Sequence, residues 1–211
     1  PGIFNSGNLG NNAAGRAILL IENSTISGNS EDFYGAGIHS NSNGGYTNTT
    51  VNNCTFSNNT STGTSHSGAY NEAAQSGTGV ATFSKCIFSS NSATTNGAAV
   101  HANGSSSGIV NLSFTNCIFL NNTAGGKGGA FYSNSNSSSN VSSGFTNCTF
   151  YNNSATNGGS AVASITNNVN APPLLLRNCI LWQNTNEILN EGVAGTTLSY
   201  SLINGASAPA G

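Results

Sequence analysis

The sequence predicts an all-β chain, a right-handed single-stranded parallel β-helix of about seven rungs of roughly 31 residues each. Three observations predict it. Five cysteines, Cys54, Cys86, Cys117, Cys148 and Cys179, recur at intervals of 32, 31, 31 and 31 residues. Each sits in one short motif, such as Asn53-Cys54-Thr55-Phe56 or Asn147-Cys148-Thr149-Phe150. No stretch keeps a 3.6-residue period long enough for a helix, whereas short apolar runs alternate with Asn, Gly, Ser and Thr turns. Self-similarity at such a period is the signature of a stacked repeat, in which each unit buries its apolar face against the next.

Each element of the rung has a physical reason. Three residues before the cysteine lies an apolar column, Ile21, Val51, Phe83, Phe114, Phe145 and Leu176. Two residues after it lies the aromatic column Phe56, Phe88, Phe119 and Phe150. Strand alternation places cysteine and phenylalanine on one face. Lys85 then points the other way, so the Cys/Phe face points inward, because a lysine is costly to bury unpaired. Three residues beyond each Phe-type position comes Asn29, Asn59, Asn91, Asn122, Asn153 or Asn184, followed each time by Ser or Thr. Asparagine tolerates αL turns, bonds backbone, and can bond its own kind from rung to rung. A Gly-small-small-apolar segment closes the rung, as in Gly35-Ala36-Gly37-Ile38 and Gly128-Gly129-Ala130-Phe131. In the second rung Gly68 comes late, which implies about three inserted residues around Ser61 to Ser65. Three short strands per rung result. Stacked rungs repeat every ~4.8 Å, and the crossover preference of parallel strands sets the right hand.

The whole chain, 1–211, reads as one domain: a lead-in (1–14), the rungs (15–205) and a tail (206–211). Charged residues are 5% and the formal net charge is -2, so no basic field is available to hold nucleic acid or an anionic membrane. No apolar run reaches the ~20 residues of a membrane helix. With no Met and no leader, the chain reads as a mature piece or a fragment.

The pairing of Gly128-Gly129-Ala130-Phe131 with Phe119-Leu120-Asn121-Asn122 resembles the repeats of chlamydial polymorphic outer-membrane proteins. The stretch Asn178-Cys179-Ile180-Leu181-Trp182-Gln183-Asn184 is similar to the last rungs of secreted β-helix repeat proteins of Bacteroidota and related bacteria. The resemblance covers roughly residues 15 to 205. It implies export, extracellular or cell-surface life, and an adhesive or structural role.

The residues argue against catalysis. β-Helical lyases and hydrolases need clustered carboxylates for Ca²⁺ or for acid/base work. This chain has one Asp, Asp32, and only Glu31-Asp32 and the pair Glu187/Glu191 lie close in sequence. His39 and His101 share a register two rungs apart with Glu72 nearby, too far apart to share one Zn²⁺. They are expected to be exposed polar positions on a stacked face, and His66 to be a solvated residue of the inserted loop. Column cysteines have parallel Cβ vectors, which opposes disulfides and predicts free, buried thiols. Gly125-Gly126-Lys127-Gly128-Gly129 lacks phosphate-loop spacing. The outward column Thr25, Thr55, Ile87, Ile118, Thr149 and Ile180 has no regular Thr-x-Thr grid, which leaves ice binding a minor option. The expectation is therefore a non-catalytic structural or adhesive module without cofactor or metal. It would bind glycan or protein through loops near 40–50, 61–78, 103–108, 134–144 and 164–173, with Tyr46, Tyr70 and Tyr132 among the contacts, or assemble end to end. The alternative is a polysaccharide lyase or glycoside hydrolase, or the inactive remnant of one.

Overall fold

The computed structural model describes residues 1–7, 15–33, 35–63, 67–136, 138–193 and 195–204. His66, most of the lead-in and the 206–211 tail lie outside the described residues. The described chain is an all-β parallel solenoid with no helical residue.

Each full coil carries four short strands, where the sequence pattern suggests three. The Gly-Ala sheet contains Ile3–Ser6, Ile38–Asn41, Tyr70–Gln75, Val100–Ser105, Phe131–Ser135, Val162–Thr166 and Ile188–Gly192. The long sheet contains Arg16–Glu22, Tyr46–Asn52, Thr78–Ser84, Ile109–Thr115, Asn140–Thr146, Leu174–Arg177 and Thr196–Ser199. The phenylalanine sheet contains Thr25–Ser27, Thr55–Ser57, Ile87–Ser89, Ile118–Leu120, Thr149–Tyr151, Ile180–Trp182 and Leu202–Ile203. The extra, narrow sheet is built from pairs such as Ser92–Ala93 and Thr123–Ala124. Two-residue strands carry too little periodicity to stand out in a sequence.

All strand pairs are parallel and in phase with the repeat, so like residues stack: Phe56 on Phe88 on Phe119 on Phe150. Neighbouring rings in this column lie 4.8 Å apart and within 7° of parallel. A second column, Phe83, Phe114 and Phe145, stacks at 4.8 and 4.7 Å. The two columns meet edge to face at 5.3 to 6.2 Å. All seven rings are buried. Burial contributes about 1.5–3 kcal/mol per ring, and each well-placed aromatic pair adds about 0.5–1.5 kcal/mol.

The corners rest on left-handed residues. Asn23, Asn53, Lys85, Asn116, Asn147 and Asn178, just before the cysteine position, have φ between 48 and 55°. Asn58, Ser90, Asn121, Asn152 and Gln183 do the same before the next strand. The cysteines therefore stand at corners rather than inside strands, and the inward direction comes from the αL turn that precedes them. The αL positions are also the residues before Asn59, Asn91, Asn122, Asn153 and Asn184, not those asparagines themselves. Register further places Ile38 opposite Tyr70 and Tyr70 opposite Val100, which puts Ser67, not Gly68, in the column of Gly35 and Gly97. The second coil is thus two residues longer at this turn than its neighbours, rather than about three.

Candidate binding face

The columns singled out by the sequence build the interior and its corners. Cys54, Cys86, Cys117, Cys148 and Cys179 are all free and buried. Their thiols approach two carbonyls each; Cys117 Sγ lies 3.4 Å from the Thr115 oxygen and 3.6 Å from that of Phe83 in the coil before. Burial raises the Cys54 thiol, and the adjoining thiol of Cys148 together with burial pushes Cys117 up to about 12. Cys54 and Cys117 are therefore protonated at neutral pH, whereas at the end of the column the Cys148 thiol holds Cys179 down to about 7 against the effect of burial.

The asparagine column forms a continuous amide ladder. Asn29, Asn59, Asn91, Asn122 and Asn153 each donate Nδ2 to the next Oδ1 at 2.9–3.0 Å. The same Oδ1 accepts the preceding asparagine's backbone N–H at 2.9–3.2 Å. The other Nδ2 proton of Asn91 reaches the Phe56 carbonyl, that of Asn122 the Phe88 carbonyl and that of Asn153 the Phe119 carbonyl, each at 3.0 Å. Both donors and both lone pairs of an interior amide are thus used, as burial demands. Asn184 ends the run by donating to Glu187 Oε2 at 2.5 Å. An acceptor charge at the donor end of a polarised chain strengthens the last bond.

His39 and His101 do share one column, but the residue between them is Asn71, opposite both. Glu72 points to the other side of the strand, into the interior. Nor are the histidines exposed: His39 is 1% and His101 5% exposed. The turn before each Gly-Ala strand covers this column; a Cβ on Gly97 would lie 3.1 Å from the Cβ atoms of both His101 and Tyr132. Asn71 Nδ2 lies 2.8 Å from His39 Nδ1, Phe4 stacks on His39, and Tyr132 meets His101 edge to face.

The other ionisable groups are dispersed. Glu72 is fully buried and held by Tyr70 Oη at 2.7 Å, Thr47 Oγ1 at 3.0 Å and Ser42 Oγ at 3.4 Å. Burial pushes its carboxyl up to about 7 against the pull of these donors. Glu191 pairs with Lys127 at 2.6 Å, so the lysine of the Gly-rich turn meets a carboxylate two coils away. Among the described residues no cluster of three His, Cys, Asp or Glu side chains could hold a metal ion, and no helix is long and apolar enough to cross a membrane.

About half of the anticipated loop residues are strand. Residues 46–52, 70–75 and 140–144 belong to sheets, whereas 42–45, 106–108 and 167–173 run between strands. Tyr70 is fully buried, Tyr132 is buried and Tyr46 half-buried. Exposed apolar side chains occur at several places, among them Ile18 and Leu20 on the long sheet and Val169 in the 167–173 segment, and they form a run from coil to coil on the outer side of the phenylalanine sheet. The early coils present Thr25 and Ser27, then Thr55 and Ser57. Later coils present Ile118 and Leu120, Thr149 and Tyr151, Ile180 and Trp182, then Leu202. Tyr151 and Trp182 are each 40% exposed and stand opposite one another in register. Exposed asparagine amides flank them: Asn152 donates to Asn121 at 2.8 Å on one side and Asn178 to Asn147 at 3.2 Å on the other. The signal for this face lay one residue after each phenylalanine, in the series Ser57, Ser89, Leu120, Tyr151, Trp182, where polar residues give way to large apolar ones.

Three segments, residues 85–103, 116–134 and 147–165, match the Chlamydia polymorphic membrane protein repeat. Each runs from the αL corner before the cysteine through the buried asparagine and into the Gly-Ala strand. The chain is a β-helix repeat protein resembling the chlamydial polymorphic membrane proteins. The matched part of each repeat is the part of the coil that carries the amide and thiol ladders; the long sheet lies outside it. Neither a curated protein nor a solved structure matches the chain.

Proposed function

We propose that the chain is a surface-associated, adhesin-like repeat module, exported and non-catalytic, that meets a glycan or protein partner through a flat face of its solenoid. The observation that carries this reading is the uncharged apolar strip from Ile118 to Leu202 on a rigid parallel sheet. Its strands are fixed by the ladders beneath, so a partner can be met without ordering the surface first. The polymorphic-membrane-protein repeats support the surface assignment. The carboxylates support the non-catalytic reading: Glu72 is engaged inside the coil, Glu187 closes the amide ladder and Glu191 faces Lys127. None of these stands as one of a pair flanking an open cleft, as acid/base hydrolysis requires.

The test is attachment. Beads coated with the chain are expected to adhere to cell or polysaccharide surfaces that bare beads leave alone. Soluble polysaccharides incubated with the chain, with and without Ca²⁺, are expected to stay intact. Release of oligosaccharides would overturn the non-catalytic part of the proposal, and no adhesion to any surface would overturn the adhesive part.

A further inference from the structure

The partner's chemistry can be read from how the strip is built. Its two aromatic residues sit on adjacent coils in the same column, so their backbones follow one another along the solenoid axis at the strand spacing of ~4.8 Å. That rise is close to the length of one pyranose residue in an extended polysaccharide chain. Leu120 continues the column before Tyr151, and Ile118, Thr149, Ile180 and Leu202 run beside it. A flat, apolar, axially repeating surface suits a linear partner with one apolar face per repeat. The C–H face of a pyranose ring provides this, and Tyr and Trp rings stack on such faces while their polar tips stay wet.

The margins specify the rest. From Asn116 onward the corner before the strip carries Asn116, Asn147 and Asn178, and the corner after it carries Asn121, Asn152 and Gln183; all six are exposed. The bond from Asn152 to Asn121 uses one donor and one acceptor of that pair, and so does the bond from Asn178 to Asn147. These bonds leave Asn121 Nδ2, Asn152 Oδ1, Asn147 Nδ2 and Asn178 Oδ1 unused. Neutral amides offering both donors and acceptors complement hydroxyls, which also do both. No charge stands in either corner column over these coils, so nothing there neutralises an acidic glycan, a phosphate or a charged peptide. The nearest cation, Arg177, belongs to the long sheet.

We propose that the Tyr151–Trp182 strip binds an extended, uncharged glycan lying along the solenoid axis, with successive pyranose rings on the two aromatic side chains and hydroxyls met by the flanking amides. This deepens, and rests on, the reading of the chain as an adhesin-like module.

Trp182 is the chain's one tryptophan, so its fluorescence reports the site alone. Cello-, manno- and xylo-oligosaccharides of increasing length are titrated against the intact chain. With at least one series, indole emission is expected to shift to shorter wavelength and become shielded from acrylamide, with affinity rising with oligosaccharide length. By calorimetry, Tyr151→Ala and Trp182→Ala each weaken binding about tenfold or more. Both side chains point outward, so their circular dichroism and melting are expected to match the parent. Arg177→Ala, and Phe4→Ala at the other end of the solenoid, leave binding unchanged.

Three outcomes overturn the proposal. One is that no neutral oligosaccharide perturbs Trp182. A second is binding only of polygalacturonate or heparin, abolished by Arg177→Ala. The third is concentration-dependent self-association by light scattering that Trp182→Ala removes, which makes a second copy the occupant. Bead adhesion separates the two readings: if Trp182→Ala beads still adhere fully, the module remains adhesive and the glycan site is lost.

Discussion

The coils around Glu72 and the coils from Phe114 to Trp182 are the same repeat used in opposite ways. In the first region the interior between the Gly-Ala and long sheets is polar. Asn5 donates to Thr49 at 3.2 Å, and Glu72 draws on Tyr70, Thr47 and Ser42, while the outer phenylalanine sheet carries Thr and Ser. In the second region Val110, Phe131 and Val141 fill the interior, and the outer sheet carries Tyr and Trp. Gly79 makes the first arrangement possible, since a Cβ there would lie 2.2 Å from Glu72 Oε1. A parallel solenoid fixes backbone hydrogen bonds independently of side-chain polarity, so one coil can exchange apolar packing for a satisfied polar cluster without altering its neighbours.

The largest effect should come from breaking the dry region. Phe119 stacks on Phe88 and Phe150 and meets Phe114 and Phe145 edge to face. Phe119→Ala removes all four contacts where the surrounding coils cannot collapse, and about 3–5 kcal/mol should be lost in denaturant unfolding. A loss under ~1 kcal/mol would mean that the rings fill space without cohering.

The amide ladder gives a comparable but graded loss. Asn122→Ala strands the Asn91 side-chain and backbone donors, the Phe88 carbonyl and one lone pair of Asn153 Oδ1, all buried. At about 1–3 kcal/mol for each unsatisfied group, with relaxation, a loss near 3 kcal/mol is expected. Asn29→Ala, at the half-buried end of the same ladder, should cost about 1 kcal/mol or less, because water replaces its partners. Equal losses at both sites would show that the ladder does not act through burial.

The polar region should reveal itself by pH. The Glu72 carboxyl rises from an ordinary 4.5 to about 7 because it is buried without a countercharge. The folded state therefore holds this proton more tightly than the unfolded chain. Its contribution is fully present below about pH 4.5, declines as pH rises to about 7, and is lost above. At 1.36 kcal/mol per unit the decline is about 3 kcal/mol. Glu72→Gln keeps the shape, stays neutral, and should flatten that slope in melts run from pH 4 to 8. A slope that persists in the variant would place its origin elsewhere.

How far the sequence discloses these regions depends on periodicity. Cysteine, phenylalanine and asparagine recur at one interval because each is stacked on itself, and any property that stacks is visible as a period. The parallel solenoid and both ladders were legible for that reason. Glu72 was not, since a single buried carboxylate has no periodic partner, and its inward direction follows from a register that places Asn71 beside the histidines. The burial of His39 and His101 was equally hidden, because the covering turn is local and of variable length. The outer strip was half legible: its Thr/Ile column was visible, but the change from Ser89 to Leu120, Tyr151 and Trp182 breaks repetition rather than obeying it.

The smallest effect concerns the thiol ladder, and the chain contains its own control. Ser24 and Ser201 occupy the cysteine position in the outermost coils. Ser24 Oγ donates to the Glu22 carbonyl at 2.7 Å and Ser201 Oγ to that of Ser199 at 3.0 Å, the same i−2 bond that Cys117 makes to Thr115. The corner therefore asks for a small donor facing two carbonyls, and sulfur adds apolar contact with the rings rather than redox chemistry. Cys117→Ser should cost about 1 kcal/mol or less, since a hydroxyl bonds those carbonyls better while packing less well. Cys117→Leu should cost more, about 1–3 kcal/mol, by overfilling the corner. In the parent chain all five thiols should resist a thiol reagent until denaturant is added and then react together. A native thiol that reacts promptly would show that its corner opens, and would mark where the solenoid first comes apart.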